Sequence, residues 1–168
     1  SQRLGVHMDE LLPIGYTEEE LAYAKKFQQV ITDLDRENLK ETAKKLAGKD
    51  SAQLLEQPLF DFRVTKELGG GKGSTDVGDV SWVVPTGQFN AVTWAAGTPG
   101  HAWQIVAQGK GPVAHKGMLF AAKVMAATAY DFLTQPDLVQ QAHQAWLDDL
   151  DGETYPNALP ADAKPEIW

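Results

Sequence analysis

The chain has 168 residues, 43% of them hydrophobic, which suits one ordinary globular domain with a real core. Lys and Arg number 15 against 23 Asp and Glu, a net charge of -8, so the sequence lacks the basic footprint that a phosphate backbone selects and nucleic acid is excluded as a partner. There is no cysteine, which removes thiolate catalysis, Cys-ligated zinc and disulfides together.

The N-terminus SQRLGVHMDE has no charged region followed by an apolar core, so it does not read as a secretory signal. It also lacks an initiator Met, which points to a processed or truncated chain. Residues 1 to 16 are expected to be irregular. Thr17 and Glu20 then form a capping box, with Tyr16 and Leu21 placed as a hydrophobic staple, and a helix is predicted from Glu18. Its apolar stripe runs through Leu21, Ala24, Phe27, Ile31 and Leu34. A second, more charged helix is predicted over 35–47, with Gly48 just past its end.

Residues 49 to 80 change character, and five glycines at positions 69, 70, 71, 73 and 78 predict a sharply bent loop. SWVV and FNAVTWA read as strands separated by PTG, because β-branched and aromatic residues dominate them. Residues 116 to 133 predict a slim, Ala-rich helix buried against a sheet. Pro136 opens a last helix, with Leu138, Ala142, Ala145 and Trp146 facing inward, and the Pro-rich tail from Gly152 reads as an extended arm. The apolar stretches, MLFAAKVMAATAY among them, are broken by Lys or fall short of the roughly 20 residues of a membrane span, so a soluble, cytoplasmic chain with no membrane partner is expected. The fold class is α/β, a few strands packed with helices.

Several chemistries fail on spacing. GGGKGST is not a phosphate loop, because Gly73 separates the lysine from Ser74. No Gly-x-Ser-x-Gly elbow and no His-Glu-x-x-His pair occurs. Four histidines and a few loop carboxylates remain. His143 reads as a solvated ring, His7 lies in the leader, and His115 in GPVAHKGM reads as a capping or turn residue, with a pocket-lining role as the alternative. His101 in GTPGHAWQ follows a predicted strand, the place where open α/β sheets put their ligands, and is either a structural ring or a functional one. Asp76 and Asp79 in STDVGDVS either cap their own turn or line a cleft, where Asp76 would orient a metal-bound histidine.

GSTDVGDVSW, TWAAGTPGHAWQ and AHKGM followed by AAKVMAATAYDFL resemble the C-terminal part of amidohydrolases of the aminoacylase and carboxypeptidase-type metallopeptidase family, the bacterial p-aminobenzoyl-glutamate hydrolases among them. The likeness is strong over 73–133 and weaker over 13–62 and 136–160. It implies a catalytic α/β domain with two metal ions, Zn or Mn, interrupted by a lid domain that also mediates dimerisation. Residues 1–16 would be a leader or the end of the lid, and residues 17–168 the C-terminal half of the catalytic domain.

The resemblance maps the last metal-binding histidine onto His101. It places Ser74, Thr75 and Asp76 in the family's Ser/Ala-Glu-Asp-Phe-Ser stretch beside the active site, and His115 stays a candidate pocket residue by its position alone. Thr75 stands where the family has Glu and Val77 where it has Phe, which leaves a role for Thr75 in doubt. A two-metal hydrolase needs about half a dozen His, Asp or Glu ligands and a carboxylate base, most of which the family draws from the half before the lid. The implied reading is a C-terminal fragment, inactive alone and without a catalytic residue of its own. Its partners would be the missing N-terminal half, a small amide substrate and further copies in a homo-oligomer. Two other readings stay open: an interaction or dimerisation module with a hydrolase-like fold, and a small metal-binding protein using His101, His115 and Asp76.

Overall fold

The computed structural model describes residues 2–47, 51–61, 75–156, 159–160 and 162–164. Among these, eight helices follow one another: α1 (Gln2–Leu11), α2 (Glu18–Gln29), α3 (Asp33–Ala47), α4 (Ser51–Glu56), α5 (Val77–Val83), α6 (Trp103–Gln108), α7 (Pro112–Thr134) and α8 (Pro136–Leu150). No strand occurs among the described residues, so the expected α/β architecture is corrected to an all-helical one. A strand exists only where a neighbour takes its backbone N–H and C=O groups. SWVV instead completes α5 with Ser81, Trp82 and Val83, and residues 85–93 run without a ladder. β-branched residues suit a pleated surface but do not create one.

The chain divides into two compact units, 1–72 with 88–130, and 73–87 with 131–168. The first begins with α1 rather than an irregular leader, and His7 is buried there with its Nδ1 2.8 Å from Glu10 Oε2. The Thr17 capping box forms as the spacing predicts: Glu20 N–H donates to Thr17 Oγ1 at 3.2 Å, and Thr17 N–H donates to Glu20 Oε2 at 2.7 Å. The α2 stripe stops sooner than expected. Val30 closes the helix, Ile31 is buried in the break, and Leu34 is exposed on α3. A second cap explains the restart, since Asp35 N–H donates to Thr32 Oγ1 and Thr32 N–H to Asp35 Oδ2, both at 3.2 Å. The predicted end at Gly48 and the glycines at 69–73 lie outside the described residues.

The core of this unit gathers Ala24 of α2, Leu59, Ala95 and Val113 of α7, with Tyr16, Leu21, Phe27 and Val92 packed against them. α7 is slim for a reason other than a sheet. A Cβ on Gly117 would overlap the Val92 carbonyl oxygen, so glycine there lets the extended segment pass directly over the helix. Val113, Phe120 and Val124 bury the face that Gly117 shares, while Met118, Leu119 and Met125 lie exposed on the other. No helix among the described residues is long and apolar enough to cross a membrane.

In the second unit, α8 starts at Pro136 as predicted. Leu138, Ala142 and Trp146 are half-buried, whereas Ala145 is exposed. Trp146 Nε1 donates to the Ser81 carbonyl of α5 at 2.8 Å, and the Tyr155 hydroxyl donates to Asp79 Oδ1 at 2.7 Å, with the Trp82 and Tyr155 rings 6.5 Å apart.

Candidate functional site

The segment before α6 is braced on the inside and open on the outside. Ala95 is fully buried, and its N–H donates to Gln108 Oε1 at 2.8 Å. Gln108 Nε2 donates in turn to Thr98 Oγ1 at 3.2 Å and to the Gln104 carbonyl at 3.1 Å. Ala96 N–H donates to the Pro58 carbonyl at 2.9 Å, and the Thr98 hydroxyl donates to the Ala95 carbonyl at 2.7 Å. Gly97 makes the turn at φ +85, where an added Cβ would come within 3.0 Å of both Ile31 and Leu39.

From this brace the chain runs outward through Pro99 and Gly100 to His101. His101 is exposed and adopts φ +58, a left-handed conformation uncommon outside glycine but several-fold enriched for histidine. The backbone therefore turns at His101 itself and not at Gly100, whose φ is not positive. His101 lines an open cleft of about 540 Å³ with Trp94, Trp103, Ile105 and Val106. The Trp103 ring leans on Phe27 at 6.3 Å between centroids, and Phe27 meets Tyr23 edge-on at 5.1 Å. Both tryptophans are nonetheless accessible, Trp94 at 41% and Trp103 at 63%.

The other residues singled out from sequence are placed as follows. His115 is exposed near the start of α7, where its backbone N–H bonds the Gly111 carbonyl at 3.2 Å, and it belongs to the same unit as His101. Thr75 and Asp76 belong to the second unit, and Ser74 lies outside the described residues. Asp76 precedes α5 without a capping bond; the turn is held instead by Val77 N–H donating to Thr75 Oγ1 at 3.3 Å. Among the described residues, no three His, Asp or Glu side chains stand together as a metal site. A two-ion centre therefore does not fit these residues alone, and His101 offers a single imidazole toward one.

Sequence reasoning missed Gln108 and the two tryptophans. Gln108 gives no signal, because its importance lies in bonds to residues 4, 10 and 13 positions away. Trp94 and Trp103 flank the histidine of GTPGHAWQ on either side, and that pairing was legible.

The strongest electrostatics lie elsewhere in this unit. Lys116 Nζ, on α7, donates to Glu20 Oε2 at 2.7 Å and to the Gly15 carbonyl at 2.8 Å, 5.9 Å from the centre of the Tyr16 ring. Burial pushes the Glu20 carboxyl up, but the hydrogen bonds from Lys116 and from Thr17 N–H outweigh it and hold the group below its ordinary value. Asp61 accepts from Ile14 N–H at 2.6 Å and Gly15 N–H at 3.0 Å. Burial first, then Asp61 and Glu20, push the Tyr16 hydroxyl well above its usual value. Lys116 and Glu20 tie the start of α2 to α7 and Asp61 holds the turn before it, while the Tyr16 hydroxyl is buried among the described residues without a hydrogen-bond partner.

No family model matches the chain, and no solved structure matches it. The chain is similar to a p-aminobenzoyl-glutamate hydrolase subunit of Escherichia coli (strain K12), with 36% identity over 158 residues, 89% of this chain and 32% of that protein. It thus spans about a third of the length of the curated relative it matches. The likeness that GSTDVGDVSW, TWAAGTPGHAWQ and AHKGM suggested is thus a similarity along most of the chain to one part of a longer protein.

Proposed function

We propose that the chain is the C-terminal part of a metal-dependent amidohydrolase that cleaves N-acyl or aminobenzoyl amide bonds of amino acids, p-aminobenzoyl-glutamate being the model substrate. The observation that carries the reading is the 36% identity to a hydrolase subunit of that name, over a segment that includes the exposed histidine of GTPGHAWQ. The reaction adds water across one amide bond, releasing an aromatic acid and an amino acid. In the whole protein His101 would supply one ligand to a Zn or Mn pair, and the remaining ligands would come from outside the described residues. Ser74, Thr75, Asp76 and His115 are proposed as substrate-contacting or supporting residues of the whole protein. The relative is a subunit by name, so the whole protein is proposed to work in an assembly, with a further copy or a different partner.

The test is hydrolysis by the whole protein supplied with Zn²⁺ or Mn²⁺, followed by release of p-aminobenzoate. Residues 1–168 alone should show no turnover above background. His101→Ala in the whole protein should lower the rate by about 100-fold or more through loss of an ion or its geometry. Its melting temperature should stay nearly unchanged, because removing an exposed ring opens no core cavity. A whole protein inactive with both metals, or an Ala variant that melts early yet keeps its rate, overturns the reading.

A further inference from the structure

We propose that Gln108 is the positioning residue for His101: its side-chain amide clamps the turn before the histidine to the helix after it, so that the imidazole is presented in one fixed direction. The functional half of this inference rests on the amidohydrolase reading, and the clamp itself rests on the geometry of this chain. Gln108 is 3% exposed and both ends of its amide are engaged. Oε1 accepts from Ala95 N–H at 2.8 Å, while Nε2 donates to Thr98 Oγ1 at 3.2 Å and to the Gln104 carbonyl at 3.1 Å. The Thr98 hydroxyl gives its own proton to the Ala95 carbonyl at 2.7 Å, so toward Gln108 it can only accept, which fixes the end of the amide that faces it. One side chain therefore joins residues 95 and 98 to α6. That helix begins almost directly after the histidine, where Ala102 is extended and its carbonyl accepts from Ile105 N–H at 3.1 Å. Between these anchors lie only Pro99, Gly100 and His101, and the Pro99 ring sets its own φ.

The backbone of His101 needs such a clamp. Its φ of +58 costs free energy for a residue with a Cβ, whereas the adjacent Gly100, whose φ is not positive and which has open space where a Cβ would stand, could take a left-handed turn without that cost. An unclamped loop would move the turn to Gly100 and let His101 relax to negative φ, which redirects its side chain. Conformations of this kind persist only where the surroundings over-determine them, and they cluster at working sites. Here Gln108 over-determines the loop together with Gly97, which turns at φ +85 against Ile31 and Leu39.

The experiment compares two variants that break the clamp with two that keep it. Gln108→Met retains the length of the side chain and deletes all three of its hydrogen bonds, and Thr98→Val retains the shape of the residue and deletes its hydroxyl. Thr98→Ser keeps the hydroxyl, and Val124→Ala destabilises from a fully buried position on α7 while leaving every bond of the clamp in place. NMR of this chain reads the NOE between the amide and α protons of His101, which lie closest together at positive φ. It should be strong in the wild type, Thr98→Ser and Val124→Ala, and should lose that intensity in Gln108→Met and Thr98→Val. In the whole protein, kcat for p-aminobenzoyl-glutamate should fall about tenfold or more in the two clamp-breaking variants, with KM within about twofold of wild type, and should hold in the other two. A strong NOE that survives both clamp-breaking variants overturns the clamp, as does an equal loss in Val124→Ala. A lost NOE with kcat unchanged overturns the positioning role. A whole protein without hydrolase activity removes the amidohydrolase reading, and the NOE then decides the clamp by itself.

Discussion

Replacing Lys116 with methionine keeps the stem of the side chain and deletes its ammonium, leaving Glu20 to hold a buried carboxylate without its counter-charge. Glu20 retains 8% of its side-chain exposure and Lys116 32%. Breaking a fully enclosed pair destabilises by about 3–5 kcal/mol, and water around Lys116 reduces this to about 2 kcal/mol at pH 7. For a chain of this length that is a fall of roughly 4–8 °C in melting temperature. The pH dependence is the sharper signature. Glu20 is held below its ordinary pKa in the wild type, so its contribution is complete above the unfolded value of about 4.3 and fades as pH falls through the lower, folded value. In the variant the hydrogen bonds from Thr17 remain but those from Lys116 are gone, so burial is less fully offset and the carboxyl is held less far below its unfolded value; the loss is present at neutral pH and shrinks as the acid protonates. Urea unfolding followed by circular dichroism at pH 7 and near pH 4 should therefore show a gap that narrows at the lower pH. Adding Glu20→Gln to the variant should recover most of the loss at pH 7. A gap that is the same at both pH values, or no recovery in the double variant, would refute the reasoning.

Gly117→Ala should destabilise by about 3 kcal/mol, because the new methyl meets the Val92 carbonyl, backbone that cannot swing away, whereas Gly78→Ala in α5 meets nothing and should be neutral or stabilising by ~0.5 kcal/mol; paired thermal melts check the contrast. Gln108→Leu should cost about 2 kcal/mol by orphaning the Ala95 N–H, and hydrogen exchange at Ala95 should accelerate while exchange in α8 does not. An unchanged Ala95 rate would show that the brace does not depend on Gln108.

What the sequence by itself determined is the local chemistry of helix ends. Thr17 with Glu20 three residues on specifies a cap whose two hydrogen bonds need no other part of the chain. Pro136 opens α8 for the same reason, since its fixed φ and missing N–H suit the first turn wherever that turn lies. Thr32 with Asp35 is the same device in shorter form, and its side chains were as legible as the first pair. The ordered motifs around His101 were also readable, because family likeness is itself a property of the linear chain.

Only the tertiary structure decided the rest, and the reason is that it depends on partners far away in sequence. FNAVTWA has the composition of a strand, but a ladder requires a second backbone, and among the described residues Val92 lies on Gly117 of a helix instead. The absence of a side chain at 117 reads from sequence only as slimness; that it clears a carbonyl 25 residues away is a fact of packing. His101 was visible as a histidine after a turn, yet its left-handed backbone, its exposure and the two indoles sharing its cleft come from the Gln108 brace and the Phe27 support behind Trp103. A cap is fixed by hydrogen bonds spanning three residues, whereas a cleft is fixed by side chains whose positions every packed neighbour must agree on.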